Sequence, residues 1–171
     1  MSELGMKGGQ FEIRLHPLEP DNFTRYGLET IEFVVTANQG QPLAPLSKVA
    51  SGGELSRISL AIQVILAKQA HIPTLIFDEV DVGIGGGVAD VVGRKLHELG
   101  KSTQVLCITH LSQVAAKGDQ HFQVSKGGDD VVNAYVTRLE EQERIEEIAR
   151  MTSGALTEQS INHAKEMLNF Q

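Results

Sequence analysis

A single cysteine stands among the 171 residues, so no disulfide can close within the chain. That fits a reducing, cytoplasmic setting. The apolar neighbours Val105, Leu106 and Ile108 mark Cys107 as a core residue rather than a reactive thiol. No apolar run approaches the roughly 20 residues that a bilayer-spanning helix needs, so no membrane partner is expected. Met1-Ser2-Glu3-Leu4-Gly5 carries neither the basic nor the apolar region of a signal peptide. Basic charge is scarce: 15 Lys and Arg face 22 Asp and Glu, a net charge of −7. This balance excludes a general nucleic-acid grip, and Arg94, Lys95 and Lys101 form only a loose group that reads as a solvated helix face. His16, His71, His97, His121 and His163 show no metal-ligand spacing. No internal repeat, low-complexity tract or sustained heptad pattern is present.

What is there suits one soluble globular domain with a real core, at 41% hydrophobic and 22% charged residues. Residues 11–15 and 31–36 alternate apolar and polar side chains, which predicts half-buried antiparallel strands separated by a turn-rich connection around Pro17, Pro20 and Asp21-Asn22. Gly40, Pro42 and Pro45 make a breaker-rich linker. Leu55, Ile58, Ile62, Ile65 and Leu66 recur at helical spacing and predict a helix from about 52 to 69. Pro73 ends it and opens a strand over 74–78. A glycine-rich connector, Gly83 to Gly87, leads to a helix over 88–99, then a strand over 103–108 and a short helical segment near 111–116. Strands over 121–125 and 131–138 flank the turn Lys126-Gly127-Gly128-Asp129-Asp130. Two C-terminal helical stripes follow, Ile145/Ile148/Ala149/Met151 and Ile161/Ala164/Met167/Leu168, divided by Gly154. The order helix, strand, helix, strand over 52–108 predicts parallel pairing through helical crossovers.

Three segments carry chemistry. Ser51-Gly52-Gly53-Glu54-Leu55-Ser56 opens the first long helix. Ser51-x-x-Glu54 is by itself a capping box, which accounts for the serine and the glutamate. It does not account for Gly52 and Gly53, each of which costs about 1 kcal/mol relative to Ala in a helix interior. Two glycines at a helix N-terminus let a phosphate approach exposed N–H groups, where the helix dipole favours negative charge. Leu75-Ile76-Phe77-Asp78-Glu79 is a buried strand closed by two carboxylates, at the end of the strand where open α/β sheets bind ligands. One of the two acids could simply cap a helix or face a turn. As a pair they suit ATP hydrolysis, Asp78 holding Mg2+ through water and Glu79 polarising the attacking water as general base. Ile108-Thr109-His110 closes the next strand, so His110 can lie beside Asp78 and Glu79 and sense a γ-phosphate. The phosphate-cradling loop G-x-x-x-x-G-K-[ST] occurs nowhere in these 171 residues.

The three segments, in this order, resemble the RecN family of bacterial DNA-repair proteins, relatives of the SMC proteins. The matching runs are Lys48-Val49-Ala50-Ser51-Gly52-Gly53-Glu54-Leu55-Ser56-Arg57, Leu75-Ile76-Phe77-Asp78-Glu79-Val80-Asp81-Val82-Gly83-Ile84, and Gln104 through Ala115. The resemblance implies the C-terminal lobe of an ABC/SMC-type ATPase head, of α/β class, with a largely parallel sheet, flanking helices and an antiparallel β edge. Within it, residues 1–46 would form a β arm and linker. Residues 47–116 would hold the signature, Walker B, D-loop and switch region, and residues 117–171 the C-terminal strands and helices. An N-terminal lobe of the same protein would supply the phosphate loop. Two heads would sandwich ATP, with Ser51, Gly52, Gly53 and Glu54 meeting the nucleotide held on the other head and Asp81, in the D-loop, crossing to the partner subunit. The implied cofactors are ATP and Mg2+, the implied substrate DNA held during double-strand-break repair, and the implied place the nucleoid. Family members commonly carry serine where this chain has Gly85. Two other readings of the same residues stay open: a metal-dependent hydrolase with Asp78, Glu79, Asp81 and His110 as ligands, and a non-catalytic docking lobe.

Overall fold

Two strands separated by a proline-marked turn form the first structured element of the computed structural model, which describes residues 4–48, 52–70, 72–78, 80–127 and 133–168. Strand β1 (Gln10–Pro17) pairs antiparallel with β2 (Glu29–Thr36) in unbroken register, from Gln10 opposite Thr36 to Pro17 opposite Glu29. A two-residue strand β3 (Ala44–Pro45) adds to the other edge of β2, opposite Val34 and Val35. It falls in the stretch read as linker. Pro45 is tolerated because β3 is an edge strand, where a missing N–H removes no ladder bond. The alternation in β1 and β2 is real, but the expected half-burial is not: Phe11, Ile13, Leu15, Ile31 and Phe33 share one face and are all exposed. Only the end of β2, at Val34, Val35 and Thr36, is buried.

The chain divides into two compact units, Met1–Gln63 and Val64–Gln171. Helix α1 (Gly52–Ala70) runs for 19 residues through the division, over the stretch its apolar spacing predicts. In the second unit, β4 (Thr74–Asp78), α2 (Gly86–Gly100) and β5 (Gln104–Ile108) make one strand–helix–strand crossover. The two strands are parallel and in register, Thr74 opposite Gln104 through Asp78 opposite Ile108. Helix α2 buries Ala89, Val92, Gly93, Leu96 and Leu99, spaced three and four apart as one helix face requires. The short helix α3 (Ser112–Ala115) packs on α2 at Gly93, where an added Cβ would lie 3.1 Å from the Gln113 carbonyl oxygen and 3.2 Å from the Val114 Cα.

The remaining elements form a hairpin and a helix pair. β6 (Phe122–Gly127) and β7 (Asn133–Arg138) are antiparallel; of the turn expected between them, Lys126 and Gly127 belong to β6, while residues 128–132 lie outside the described residues. Helix α4 (Glu141–Ser153) ends at Gly154, whose φ of 73° is the left-handed conformation that glycine adopts without steric cost. Helix α5 (Glu158–Leu168) is opened by reciprocal bonds, Ser160 N donating to Thr157 Oγ1 at 3.1 Å and Thr157 N to Ser160 Oγ at 2.9 Å. The two C-terminal stripes pack against each other. Ile145, Ile148, Ala149 and Ala164 close a core with Ala116, flanked by Met151, Ile161, Met167 and Leu168. The fold is α/β, but among the described residues parallel pairing is confined to β4 and β5; the other strands return as hairpins joined by short connections.

Candidate nucleotide-hydrolysis site at the strand ends

Within the second unit the carboxyl ends of β4 and β5 lie side by side, because their register pairs Asp78 with Ile108. Three of the residues singled out from sequence lie at these ends or just past them. Asp78 is the last residue of β4 and is exposed. Asp81, three residues on, is fully buried at 0% exposure. His110, two residues past β5, leaves 67% of its side chain exposed. Glu79 lies outside the described residues.

One oxygen of Asp81 holds the arrangement together. Its Oδ2 accepts a bond from the Thr109 hydroxyl and another from the His110 backbone N–H at 3.1 Å, and it lies 3.3 Å from the imidazole Nδ1 of the same histidine. The Leu111 N–H then donates to Thr109 Oγ1 at 3.0 Å, so the chain after β5 is pinned on both sides of His110. Asp81 Oδ1 has no partner among the described residues. A buried carboxylate is costly unless hydrogen-bonded, and these donors are what compensates it. Asp81 is therefore turned inward onto its own chain here, not outward. Thr109 was passed over in the sequence as a mere flank; a hydroxyl beside the histidine at one strand end, with an acid just beyond the neighbouring end, was the available signal.

The same carboxylates act on Cys107. Burial first, then the negative charges of Asp81 and Asp78, push its thiol up to about 11, so it stays protonated and unreactive at neutral pH. Cys107 is only half-buried, so the expectation of a core residue is met in part. The parallel pair is nonetheless covered on one face only. Phe77 is buried, and α2 lies against β5, whereas Ile76, Leu106 and Ile108, on the same face as Asp78, are 69%, 47% and 59% exposed.

In the signature segment Ser51 lies outside the described residues. Gly52 and Gly53 begin α1, with Glu54 in its first turn. Among the described residues a Cβ at Gly52 would meet nothing within 4 Å, so none of them blocks the approach to that helix N-terminus. Arg57, one turn on, buries its Nε without a partner among the described residues. Gly85 precedes α2 with extended backbone (φ −169°), in the cap position and with open space around it. A serine at this position would sit where a side-chain oxygen can accept from the first turn of α2.

Among the described residues, which leave out Glu79, no group of three or more His, Cys, Asp or Glu is arranged to hold a metal ion. Two members of the loose basic group are paired: Arg94 with Asp90 at 2.8 Å and Lys95 with Glu98 at 3.7 Å. Among the described residues no helix is long and apolar enough to cross a membrane.

No family model matches the chain. Comparison with solved structures gives the class: the fold is that of SMC-type ATPase head domains. It superposes on the Smc head domain with coiled coil and joint from Pyrococcus yayanosii with TM-score 0.68 at 19% identity, over 89% of this chain and 28% of that one. It also superposes, with TM-score 0.61 at 22% identity over 89% and 86% of the two chains, on a structure from work on ATP-driven dimerization and DNA-stimulated activation of SMC ATPases. Sequence narrows the class. The chain is 54% identical over 155 residues to the DNA repair protein RecN of Xylella fastidiosa strain 9a5c, covering 90% of this chain and 28% of that protein. It is 48% identical over 170 residues to RecN of Vibrio cholerae, covering 98% and 30%. The chain belongs to the RecN family and spans less than a third of the length of the relatives it matches.

Proposed function

We propose that this chain forms the signature, Walker B and switch half of an ATP-hydrolysing, SMC-like head that works in DNA double-strand-break repair and recombination. The observation that carries the reading is the placement of Asp78, and of the Asp81–His110 contact, at the carboxyl ends of two adjacent parallel strands, within a RecN-family sequence. Asp78, exposed at the strand end, is suited to hold Mg2+ through water, and the cation would neutralise charge on the phosphates. Glu79 polarises the attacking water. Ser51 and the open N-terminus of α1 at Gly52 and Gly53 meet the γ-phosphate of a nucleotide held on a second head, with Glu54 beside them.

The phosphate loop belongs to another part of the complete head. The bare face of β4 and β5 supports this, since parallel strands are ordinarily covered on both faces. We assign that cover to the remaining lobe of the same RecN-type head, the relatives being more than three times as long as the matched region. DNA is engaged through the complete protein rather than through this acidic chain, in the cytoplasm at the nucleoid.

The test is Glu79→Gln in a complete RecN-type protein carrying this chain. ATP binding should persist while steady-state hydrolysis slows by about two orders of magnitude. Turnover within twofold of the parent would remove Glu79 from the base role and the reading with it.

A further inference from the structure

The hairpin of β6 and β7 has two unlike faces. On one, Gln123 Nε2 donates to Glu147 Oε2 of α4 at 2.7 Å, so that face is turned toward the chain's own helix. Residues directly opposite one another in an antiparallel pair point to the same side. The register therefore puts Phe122 beside Arg138, Val124 beside Val136 and Lys126 beside Ala134 on the other face. That face is bare among the described residues, with Phe122, Val124 and Val136 51%, 66% and 68% exposed.

Along it the order is cation, apolar centre, cation. Arg138 closes one end and Lys126 the other, four ladder positions apart, or about 13 Å at 3.3 Å per residue. Neither has an ion-pair partner among the described residues. Yet the chain carries a net charge of −7, and Arg14, Arg94, Lys117 and Arg150 are each paired with a carboxylate. Acid is plentiful; it is simply not placed at this face. Burial beneath an apolar layer would strand both cations out of water, at a cost that apolar contact alone does not offset. Two copies of the face laid along each other would set cation against cation. A nucleic-acid strand would meet two cations on a chain that is acidic as a whole.

We propose that this face of the β6–β7 hairpin docks an acidic amphipathic helix of a partner protein. The apolar side of the helix lies on Phe122, Val124 and Val136, and carboxylates about two turns apart reach Lys126 and Arg138. A face two strands wide, with strands about 5 Å apart and their side chains to either side, matches the roughly 10 Å diameter of one helix. Apolar contact at the centre supplies the attraction, and the charges at the rim select the partner and set its position along the strands.

The probe is a fluorescein-labelled synthetic peptide of about 18 residues, long enough to hold a helix in water. It carries leucines three and four apart on one face, bracketed on that face by glutamates two turns apart. Fluorescence anisotropy is read with the 171-residue chain and with a complete RecN-type protein carrying it. Both should bind the peptide saturably, and neither should bind a scrambled peptide of the same composition. Lys126→Glu/Arg138→Glu, at exposed positions, should weaken binding about tenfold and accept instead a peptide with lysines in place of the glutamates. Val124→Ser/Val136→Ser should weaken it by about tenfold as well, through lost apolar contact.

No saturable binding below about 1 mM, equal binding of the scrambled peptide, or affinity indifferent to the charge reversal overturns the proposal. Binding by the 171-residue chain but not by the complete protein also overturns it, since the face is then covered within one polypeptide. Dimerisation of the nucleotide-free complete protein that is lost in Val124→Ser/Val136→Ser would give the face to a second copy. Displacement of the peptide by a single-stranded DNA oligonucleotide, abolished by the charge reversal, would give it to nucleic acid. Either result sinks the helix-docking assignment.

Discussion

The α4–α5 pair and the β4–β5 pair are both built from apolar residues at regular spacing, yet one is finished and the other is not. Ile148, Ala149 and Ala164 are fully buried between the two helices. Ile76, Leu106 and Ile108 stand on an uncovered strand face that also carries Asp78. The helix pair finds its complement within this chain, whereas the strand pair meets its own only on one side. Periodicity tells which residues want burial; it is silent on whether the surface that buries them lies in the same polypeptide. The uncovered region also carries the candidate site residues Asp78, Asp81 and His110.

Truncation should separate the two regions most strongly. Ile148→Ala removes a fully buried side chain and is expected to cost about 3 kcal/mol of stability by urea denaturation. Ile76→Ala, on the open face, is expected to cost about 0.5 kcal/mol or less in this chain. The same Ile76→Ala in a complete head should approach the cost of a core truncation. Equal small losses in both contexts would mean that nothing covers the face.

A smaller effect comes from the ion pair that flanks the finished core. Glu147 is buried and bonded to Arg150 at 2.5 Å and to Gln123 at 2.7 Å. The bond from Arg150 is the chief reason its carboxyl is held below the ordinary glutamate value. A carboxylate depressed on folding contributes stability that is complete above the unfolded value and lost as pH falls through the folded one. Glu147→Gln should therefore lower stability by about 1–2 kcal/mol at neutral pH and flatten the acid limb of the stability curve. An unchanged acid limb would assign that limb to other carboxylates. Smallest of all, Gly85→Ser should raise stability by a few tenths of a kcal/mol, by capping α2 in space already open. A loss there would mean the glycine is needed for backbone reasons that its extended φ does not suggest.

Much of the architecture was legible because it is local. The helix expected over 88–99 is α2 at Gly86–Gly100, and the stripes at 145–151 and 161–168 are the faces that meet. What escaped depends on distant partners. β3 is two residues in a breaker-rich stretch and exists only because Val34 and Val35 offer an edge. The exposed face of β1 and β2 reads in sequence like a buried one, since alternation does not name its cover. Asp81 reads as an acid in a loop, free to reach outward; its donors come from residues 28 and 29 positions later, which no local pattern reveals. Asp78 and His110 could be placed near one another from sequence because strand ends in a parallel crossover gather their successors at one edge. Their proposed roles, with those of Ser51 and Glu79, rest on motif and chemistry rather than on contact.

The central claim is that this chain holds one side of a nucleotide site and needs a phosphate loop from elsewhere to bind ATP. Calorimetric titration of Mg-ATP into the 171-residue chain, and into a complete RecN-type head containing it, tests this most directly. The account expects no heat of binding at micromolar nucleotide for the chain and saturable binding for the complete head, because the backbone nest and lysine that cradle phosphates are absent from these residues. Micromolar affinity in the chain by itself would contradict it.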